Sequence, residues 1–298
     1  MKYILEFGAP RSGTTYLEYV LDGFDGAQRI YAELLPRTLM NVYGGSNLVD
    51  RESLSSIDSS VKNILSRGIG TFINNRYNSR FLALESWWNR PRDVEQLWHV
   101  VRPGRRPLPS LVIYRSTHLS FSPELVFESI PDAKVIYIYR DGRDVANSLV
   151  ESYNAFANEG LSDPNSEDVR LGRKYGDLHI PWWVDEGREE TFASSTQYVR
   201  ALWFWDFIVG KCIDYFDSLS NEERSRLLVL KYENLVSAPE EVGDKICTHL
   251  DMQPSFHFKK RLKEARASSI GKHKQRPKDE LSEGKRVARK TLSKLDYI

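Results

Sequence analysis

Residues 3–21, YILEFGAPRSGTTYLEYVL, decide the fold that we predict for this chain. The apolar run YILEF, followed by a glycine, indicates a buried strand. The run TTYLEYVL places Leu17, Val20 and Leu21 at helical spacing, which predicts the next helix. Residues 8–15, GAPRSGTT, therefore join a strand to a helix, as in the first half of a βα unit.

This loop has the composition of an anion-binding loop. Gly8 and Gly13 let backbone N–H groups turn inward, and the helix N-terminus adds its positive end. An ATP-using loop carries lysine after the second glycine. Here Thr14 stands at that position, and Arg11 supplies a planar fork of donors suited to tetrahedral oxyanions. The alternative is a turn that binds nothing.

Strands and helices alternate along most of the chain. SLVIYR and AKVIYIY read as buried strands, SPELVFESI and DVANSLVESY as helices, and TQYVRALWFWDFIVGKCIDYF as a long, largely buried helix. RLLVL predicts a late strand, and Ser237, Pro239 and Glu240 signal the start of a further helix. A mixed pattern over residues 52–65 suggests another helix. This order predicts an α/β fold, a central parallel β-sheet flanked by helices, in a single domain over residues 1–298.

Two further polar clusters follow predicted strands, where ligands bind in such sheets. Arg140 ends one strand and Ser148 lies about two helical turns beyond it, so both could point at one phosphate. The alternative is an ion pair of Arg140 with Asp141 or Asp144. His118 follows another strand, and an imidazole there suits general-base work, although a lone histidine is also a common structural residue.

Composition limits the classes of partner. The 298 residues carry a formal net charge of +1, which gives no global reason to expect nucleic acid or an anionic membrane. Cys212 and Cys247 have no paired spacing and no histidine cluster near them, which supports neither a disulfide framework nor a zinc site. No apolar run approaches the roughly 20 residues that span a bilayer. We expect a soluble, cytoplasmic protein.

Two segments differ from the framework in composition. Residues 155–195 are rich in Gly, Asp, Asn and Pro, which predicts a lid or insertion. Trp87, Trp88, Trp182 and Trp183 could line an apolar or sugar-stacking pocket, or pack in the core or lid. From Arg266 onward basic residues crowd together, and on charge alone this segment reads as a solvated tail.

Taken together, these stretches resemble the sulfotransferases that use 3′-phosphoadenosine 5′-phosphosulfate (PAPS). PRSGTTYL is similar to the family's 5′-phosphosulfate loop, and RDGRDVANSL to its 3′-phosphate motif, with Arg140 and Ser148 at matching positions. STHLS resembles the KTHLP segment in which the cytosolic enzymes place their catalytic histidine, here His118. LKYENLVSAPEEV resembles a late YEDL segment, and SSIGKHKQRPKDEL the C-terminal segment that closes over the nucleotide.

The resemblance implies a P-loop NTPase-like sulfotransferase fold, with PAPS as co-substrate, 3′-phosphoadenosine 5′-phosphate as product, and no metal. It also implies a nucleotide-closing segment at residues 266–290. The residues that it assigns to the donor are Arg11, Ser12, Gly13, Thr14, Thr15, Arg140, Ser148, Tyr232, Ser268, Lys272 and Lys274.

The chain departs from the family pattern at two positions. Ser116 replaces a lysine that helps the leaving phosphate in the cytosolic enzymes, so that role passes to Arg11 or Arg115. His273 stands where many bacterial relatives carry tryptophan, which changes how the segment would pack against the adenine.

Two residues compete for the role of the base. Carbohydrate and tyrosyl-protein members use a glutamate beyond the loop, and Glu33 in IYAELLPR lies close to that position, with Arg37 nearby. His118 matches the cytosolic pattern, and we favour it slightly because Glu33 needs a one-residue shift.

The sequence thus predicts sulfuryl transfer from PAPS to a hydroxyl or amine of a small-molecule acceptor. We expect a monomer or homodimer without nucleic-acid or membrane partners. Two alternatives stay open: a P-loop kinase in which Asp141 holds magnesium, and a non-catalytic nucleotide-binding protein of the same fold.

Overall fold

The computed structural model of the chain describes residues 2–30, 110–163 and 173–298. Several sequence predictions therefore lie outside the described residues. They concern Glu33, Arg37, Trp87, Trp88 and the helix over residues 52–65.

The described part of the fold is built on a five-stranded, fully parallel sheet and a separate two-stranded hairpin. The strands in chain order are β1 (Lys2–Phe7), β2 (Ala27–Ile30), β3 (Leu111–Arg115), β4 (Lys134–Tyr139), β5 (Arg173–Tyr175), β6 (Leu178–Ile180) and β7 (Leu227–Lys231). The order across the sheet is β2-β3-β1-β4-β7, and β5 pairs with β6. The predicted α/β fold with a central parallel sheet is confirmed.

Helices cover both faces of the sheet. In chain order they are α1 (Thr14–Leu21), α2 (Pro123–Ser129), α3 (Gly142–Tyr153), α4 (Asn158–Ser162), α5 (Glu189–Ser194), α6 (Gln197–Asp217), α7 (Asn221–Ser225), α8 (Tyr232–Ser237), α9 (Pro239–Leu250), α10 (Phe256–Leu262), α11 (Lys278–Val287) and α12 (Arg289–Lys294). Short 3₁₀ turns span Thr117–Phe121, Ala267–Ser269 and Lys272–Gln275. Within the described ranges, no helix is long and apolar enough to cross a membrane.

The central strands are apolar on both faces because both faces are buried. Leu5 and Phe7 of β1 pack into a core shared with α3 and α6. Ile4 of the same strand faces the opposite core, which includes Leu17 and Val20 of α1. Continuous apolar runs such as VIYIY are therefore the expected signature of this sheet.

Proline sets the start of two helices. Pro123 is the first residue of α2, as predicted, because proline lacks the N–H that a first helical residue leaves unpaired. The helix start that Ser237, Pro239 and Glu240 signalled is confirmed at Pro239, but Ser237 itself is not the cap of this helix. Ser237 ends α8, and α9 begins at Pro239 behind Ala238, which makes no side-chain cap bond.

Residues in the predicted lid region include well-packed aromatic side chains. Trp183 is only 8% exposed, and its ring centroid lies 5.6 Å from those of Phe156 and Phe192 and 5.4 Å from that of Phe204. Trp182 packs edge-on against Phe207. These tryptophans therefore pack against α6. Of the two alternatives for them, a substrate pocket or core packing, the structure shows packing. Movement of this region as a lid stays a prediction.

The basic C-terminal residues belong to a folded part of the chain, in a 3₁₀ turn and in α11 and α12. Ala288 and Leu292 are fully buried in the core that contains α6. Lys290 and Lys294 of α12 each donate to a carboxylate oxygen of Asp214 on α6, at 2.9 Å. The reading as a solvated tail was wrong, because the apolar positions between the charges pack on α6.

We expect Gly142→Ala to destabilise the protein by about 2 kcal/mol, the cost of an extra carbon in a packed core. A Cβ there would lie 2.3 Å from the buried ring of Trp205. Gly210→Ala is the matched control, since its nearest contact would be the Thr291 hydroxyl at 3.0 Å and helix propensity favours alanine. Urea unfolding measures both variants, and equal midpoints would contradict the packing argument.

Candidate active site

Three polar segments meet at the carboxyl ends of β1, β3 and β4, because β1 lies between the other two strands. The glycine loop follows β1, the turn Thr117–Phe121 follows β3, and Arg140 follows β4. The backbone N–H of Ser116 donates to the Glu6 carbonyl at 3.2 Å, which holds the first two segments together. The topology thus brings together the three clusters that the sequence singled out.

The glycine loop is shaped by residues with positive φ. Gly13 has φ of 98°, and a Cβ there would lie 2.4 Å from the ring of Tyr232. Arg11 has φ of 68°, a conformation that costs an L-residue with a side chain roughly 1 kcal/mol. Glycine at position 13 is therefore required both by its backbone and by the close approach of Tyr232.

The guanidinium of Arg11 lies on α3. Its Nε donates to Ser148 Oγ at 2.9 Å, its Nη1 to the Tyr153 hydroxyl at 3.3 Å and its Nη2 to Ser152 Oγ at 3.4 Å. The cation also lies 5.3 Å from the centre of the Tyr153 ring. Arg11 and Ser148, predicted for the two ends of the donor, are thus direct neighbours.

Arg140 is buried, with 7% of its surface exposed. Its Nη2 donates to the Ser269 carbonyl and lies 3.7 Å from Asp144 Oδ2, and its Nη1 lies 3.5 Å from the Arg11 carbonyl. The guanidinium is 5.0 Å from the centre of the Tyr232 ring. The ion pair with Asp144 exists, but it is a buried pair at the site rather than a surface one.

Tyr232 connects the loop to the C-terminal segment. Its ring packs under Gly13, and its hydroxyl lies 3.2 Å from Ser269 Oγ. The sequence assigned Ser268 to the donor, yet Ser268 is exposed and its neighbour Ser269 makes these contacts. Sequence alone could not separate two adjacent serines.

The remaining loop residues differ in exposure. Ser12 is fully buried, and its hydroxyl has no hydrogen-bond partner among the described residues. Thr14 is also buried, whereas Thr15 is exposed at the start of α1. Lys272 and Lys274 are exposed on either side of the buried His273. A buried hydroxyl donor at the helix N-terminus is suited to an anion.

The candidate base His118 lies in the turn directly after β3 and is half-buried. Ser116, just before it, is fully buried. Arg115, which the sequence offered for the leaving phosphate, donates from Nε to Glu18 Oε2 of α1 at 3.1 Å. Glu33, the rival base, lies outside the described residues.

The Asp141 carboxylate is already paired with another side chain of the protein. Its carboxylate pairs with Arg143, with 2.7 Å between Nη2 and Oδ2, and also accepts from the Arg143 backbone N–H at the start of α3. Its own N–H donates to Glu233 Oε1 at 3.0 Å. A magnesium ligand at this position would have to lose the Arg143 pair, so the geometry does not favour the kinase alternative. In the described ranges, no three metal-ligating side chains are grouped to hold an ion.

Sequence reasoning passed over Glu6, a carboxyl in the middle of the sheet. Glu6 is fully buried, and neither carboxyl oxygen has a hydrogen-bond partner in the described part of the chain. Burial raises its pKa well above the usual value, nearby Glu18 adds to the rise, and Arg115 opposes it. Burial of this carboxyl away from hydrogen-bond donors thus favours its neutral form over the carboxylate. The sequence did contain a signal for this buried carboxyl, because Glu6 is the one charged residue in the otherwise apolar run YILEF.

Asp144 was considered only as a partner for Arg140, but its main contacts are with the C-terminal segment. Its carboxylate accepts from the N–H of Gly271 at 2.7 Å, and from the N–H and the Nδ1 of His273 at 3.0 and 2.8 Å. Burial alone would raise the pKa of Asp144, but these bonds outweigh it and lower the pKa to about 2. The segments are 127 to 129 residues apart, so no local pattern predicts the contact.

A glycine loop between a strand and a helix thus lies beside a second cationic cluster at one edge of a parallel sheet. This arrangement is typical of proteins that bind phosphorylated ligands. The chain belongs to the sulfotransferase domain family, whose model matches residues 3–294.

Solved sulfotransferase structures are similar to the chain, and one of them reaches a TM-score of 0.50. The sulfotransferase domain from the curacin biosynthetic pathway is 15% identical, with a TM-score of 0.50, over 100% of this chain and 98% of that one. A sulfotransferase from Alicyclobacillus acidocaldarius is 16% identical (TM-score 0.48; 99% and 94% covered). One from Mycobacterium avium is 14% identical (TM-score 0.47; 100% and 77% covered). At such identities the likeness concerns the fold alone. No curated protein matches the chain by sequence.

We expect Asp144→Asn to remove a pH-dependent contribution to stability. The folded pKa of about 2 lies below the ordinary 3.8, so the contribution is present above pH 4 and is lost as pH falls through 2. The variant should be about 2 kcal/mol less stable at pH 6, with a difference that shrinks towards pH 2.

The measurement is denaturant unfolding between pH 2 and pH 6. Asp177→Asn serves as the control, because Asp177 is an exposed acid in the turn between β5 and β6. A difference between wild type and Asp144→Asn that does not change with pH would contradict the expectation.

Proposed function

We propose that the chain transfers the sulfuryl group from PAPS to a hydroxyl or amine of a small-molecule acceptor. One observation carries the choice of donor: Arg11 of the glycine loop bonds Ser148 at 2.9 Å, and Arg140 lies 3.5 Å from the Arg11 carbonyl. The cation of the glycine loop and the cation that follows β4 therefore lie side by side. PAPS carries anionic groups at both its 5′ and 3′ ends, whereas the phosphates of ATP form one chain.

The loop residues would hold the phosphosulfate. The backbone N–H groups of residues 8–15, with Thr14 and Thr15, would donate to its oxygens, and the N-terminus of α1 favours the negative charge. Three of the five N–H donors of Arg11 bond α3, which leaves two for this group. The buried Ser12 hydroxyl has no hydrogen-bond partner among the described residues, and an anion would satisfy it.

Arg140 and Ser148 would hold the 3′-phosphate. The Nε of Arg140 is buried without a hydrogen-bond partner in the described residues, which leaves a charged donor available. Tyr232 keeps the Arg140 guanidinium in place through its ring, and Lys272 and Lys274 add positive charge. Recognition of a 3′-phosphate by these residues would separate this donor from ATP.

The chain must align the acceptor, take its proton and stabilise charge on the leaving phosphate. We assign the proton to His118 or Glu33, with His118 preferred because it directly follows β3 at the converging strand ends. Arg11 and the N-terminus of α1 stabilise the leaving group. Side chains and backbone thus cover each requirement, and the scheme needs no metal.

We also infer a monomer or homodimer that acts in the cytoplasm on a small molecule. A formal net charge of +1 gives no broad attraction to nucleic acid or other polyanions. Cys212 and Cys247 are both free thiols, in keeping with a reducing compartment.

Calorimetry with nucleotides tests the donor. We expect 3′-phosphoadenosine 5′-phosphate to bind wild type equally well with magnesium and with EDTA. Ser148→Ala should weaken this binding about tenfold, the effect of a lost charge-assisted hydrogen bond. Ser152→Ala is the matched control, one helical turn away and also bonded to Arg11, and should stay within about twofold. Magnesium-dependent ATP binding without binding of the 3′-phosphorylated nucleotide would contradict the proposal.

Transfer of labelled sulfur from PAPS into an acceptor panel tests the base. Loss of a general base typically lowers kcat at least about 100-fold, so we expect that loss for His118→Ala with nucleotide affinity unchanged. Glu33→Ala is measured beside it. If only Glu33→Ala loses transfer activity, Glu33 is the general base. If both variants keep full activity, neither residue is the base. A wild type that binds nucleotide but labels nothing would indicate a non-catalytic protein.

A further inference from the structure

The C-terminal segment, residues 266–277, runs along α3 and contacts it at successive positions. Arg140, just before α3, donates to the Ser269 carbonyl. One turn on, Asp144 accepts from Gly271 and His273. A further turn on, Asn147 Oδ1 accepts from Arg276 Nε at 2.6 Å. The three side chains recur at i, i+4 and i+7, the spacing of one helix face.

The contact at Asp144 is the densest of the three. Gly271 has φ of 78°, and this left-handed turn directs its N–H and that of His273 to one carboxylate, as in a backbone anion nest. The imidazole Nδ1 of His273 adds a third bond at 2.8 Å. Asp144 is 2% exposed and His273 is 6% exposed, so the pair is shielded from water.

The two exposed lysines of this segment flank the buried histidine. Lys272 lies between the two backbone N–H groups that bond Asp144, and Lys274 follows His273 directly. The backbone of both lysines is therefore held in place, while their side chains remain exposed to solvent. The same stretch brings Ser269 to Arg140 and Tyr232, which are the proposed ligand of the 3′-phosphate and its support.

We propose that the Asp144–His273 pair is a positioning device that holds Lys272 and Lys274 beside the 3′-phosphate of the donor. The inference rests on the proposed function, since it assigns the lysines to that phosphate. Neither Asp144 nor His273 touches the reacting groups in this proposal. His273 acts through the backbone that the pair fixes, whereas Asp144 acts through that backbone and through its ion pair with Arg140.

Four variants and two nucleotides test the pair. His273→Ala removes the imidazole bond, and His273→Asn restores a donor, because the amide nitrogen of asparagine stands as far from the backbone as Nδ1 of histidine. Asp144→Asn removes the charge. His249→Ala is the matched control, a partly buried histidine near Val135 and Arg226, at the amino ends of the strands.

Calorimetry compares 3′-phosphoadenosine 5′-phosphate with adenosine 5′-phosphate, which lacks the 3′-phosphate. We expect His273→Ala and Asp144→Asn to weaken the first nucleotide about tenfold and the second less than about twofold. His273→Asn should recover most of the loss, and His249→Ala should match wild type. Hydrogen exchange should show faster exchange of residues 266–277 in His273→Ala.

The outcomes separate this inference from the proposed function. If wild type fails to bind the 3′-phosphorylated nucleotide, both are overturned. If wild type binds it and His273→Ala binds it within about twofold, only the positioning role is overturned. Equal weakening of both nucleotides would also overturn it, because a general loss of structure does not distinguish the 3′-phosphate.

Discussion

The buried guanidinium of Arg140 is the interaction on which the rest of the site depends. It reaches the carbonyl of Arg11 in the glycine loop, the carboxylate of Asp144, the ring of Tyr232 and the carbonyl of Ser269. These groups come from four separate segments of the chain. A buried cation is costly unless it is paired and hydrogen-bonded, and these four contacts together offset that cost.

Most of the described framework could be predicted from sequence, because apolar periodicity reports burial. VIYIY is apolar throughout since both faces of β4 are covered, and α6 is long and apolar since it packs along the core. Local signals were weaker at boundaries: Ser237 resembles a helix cap, but Pro239 defines the start of α9. Helix α12 was not predicted because its sequence is mostly charged around Lys290. Its buried face consists of a few residues such as Leu292.

The site was predictable where a motif is local and not where two distant segments meet. GAPRSGTT and RDGRDVANSL each show their residue types at fixed spacing, and the parallel sheet places their loops side by side. The bond between Asp144 and His273 depends on tertiary structure alone, as does the packing of Tyr232 under Gly13. The left-handed backbone of Arg11 is equally invisible in the sequence, because glycine is the residue normally expected there.

Helix α3 carries both a contact of the glycine loop, at Ser148, and the docked C-terminal segment, at Asp144 and Asn147. Any coupling between these two contacts through the helix is reciprocal. Whatever factor the docked segment adds to the affinity for a ligand, that ligand adds to the docking equilibrium of the segment.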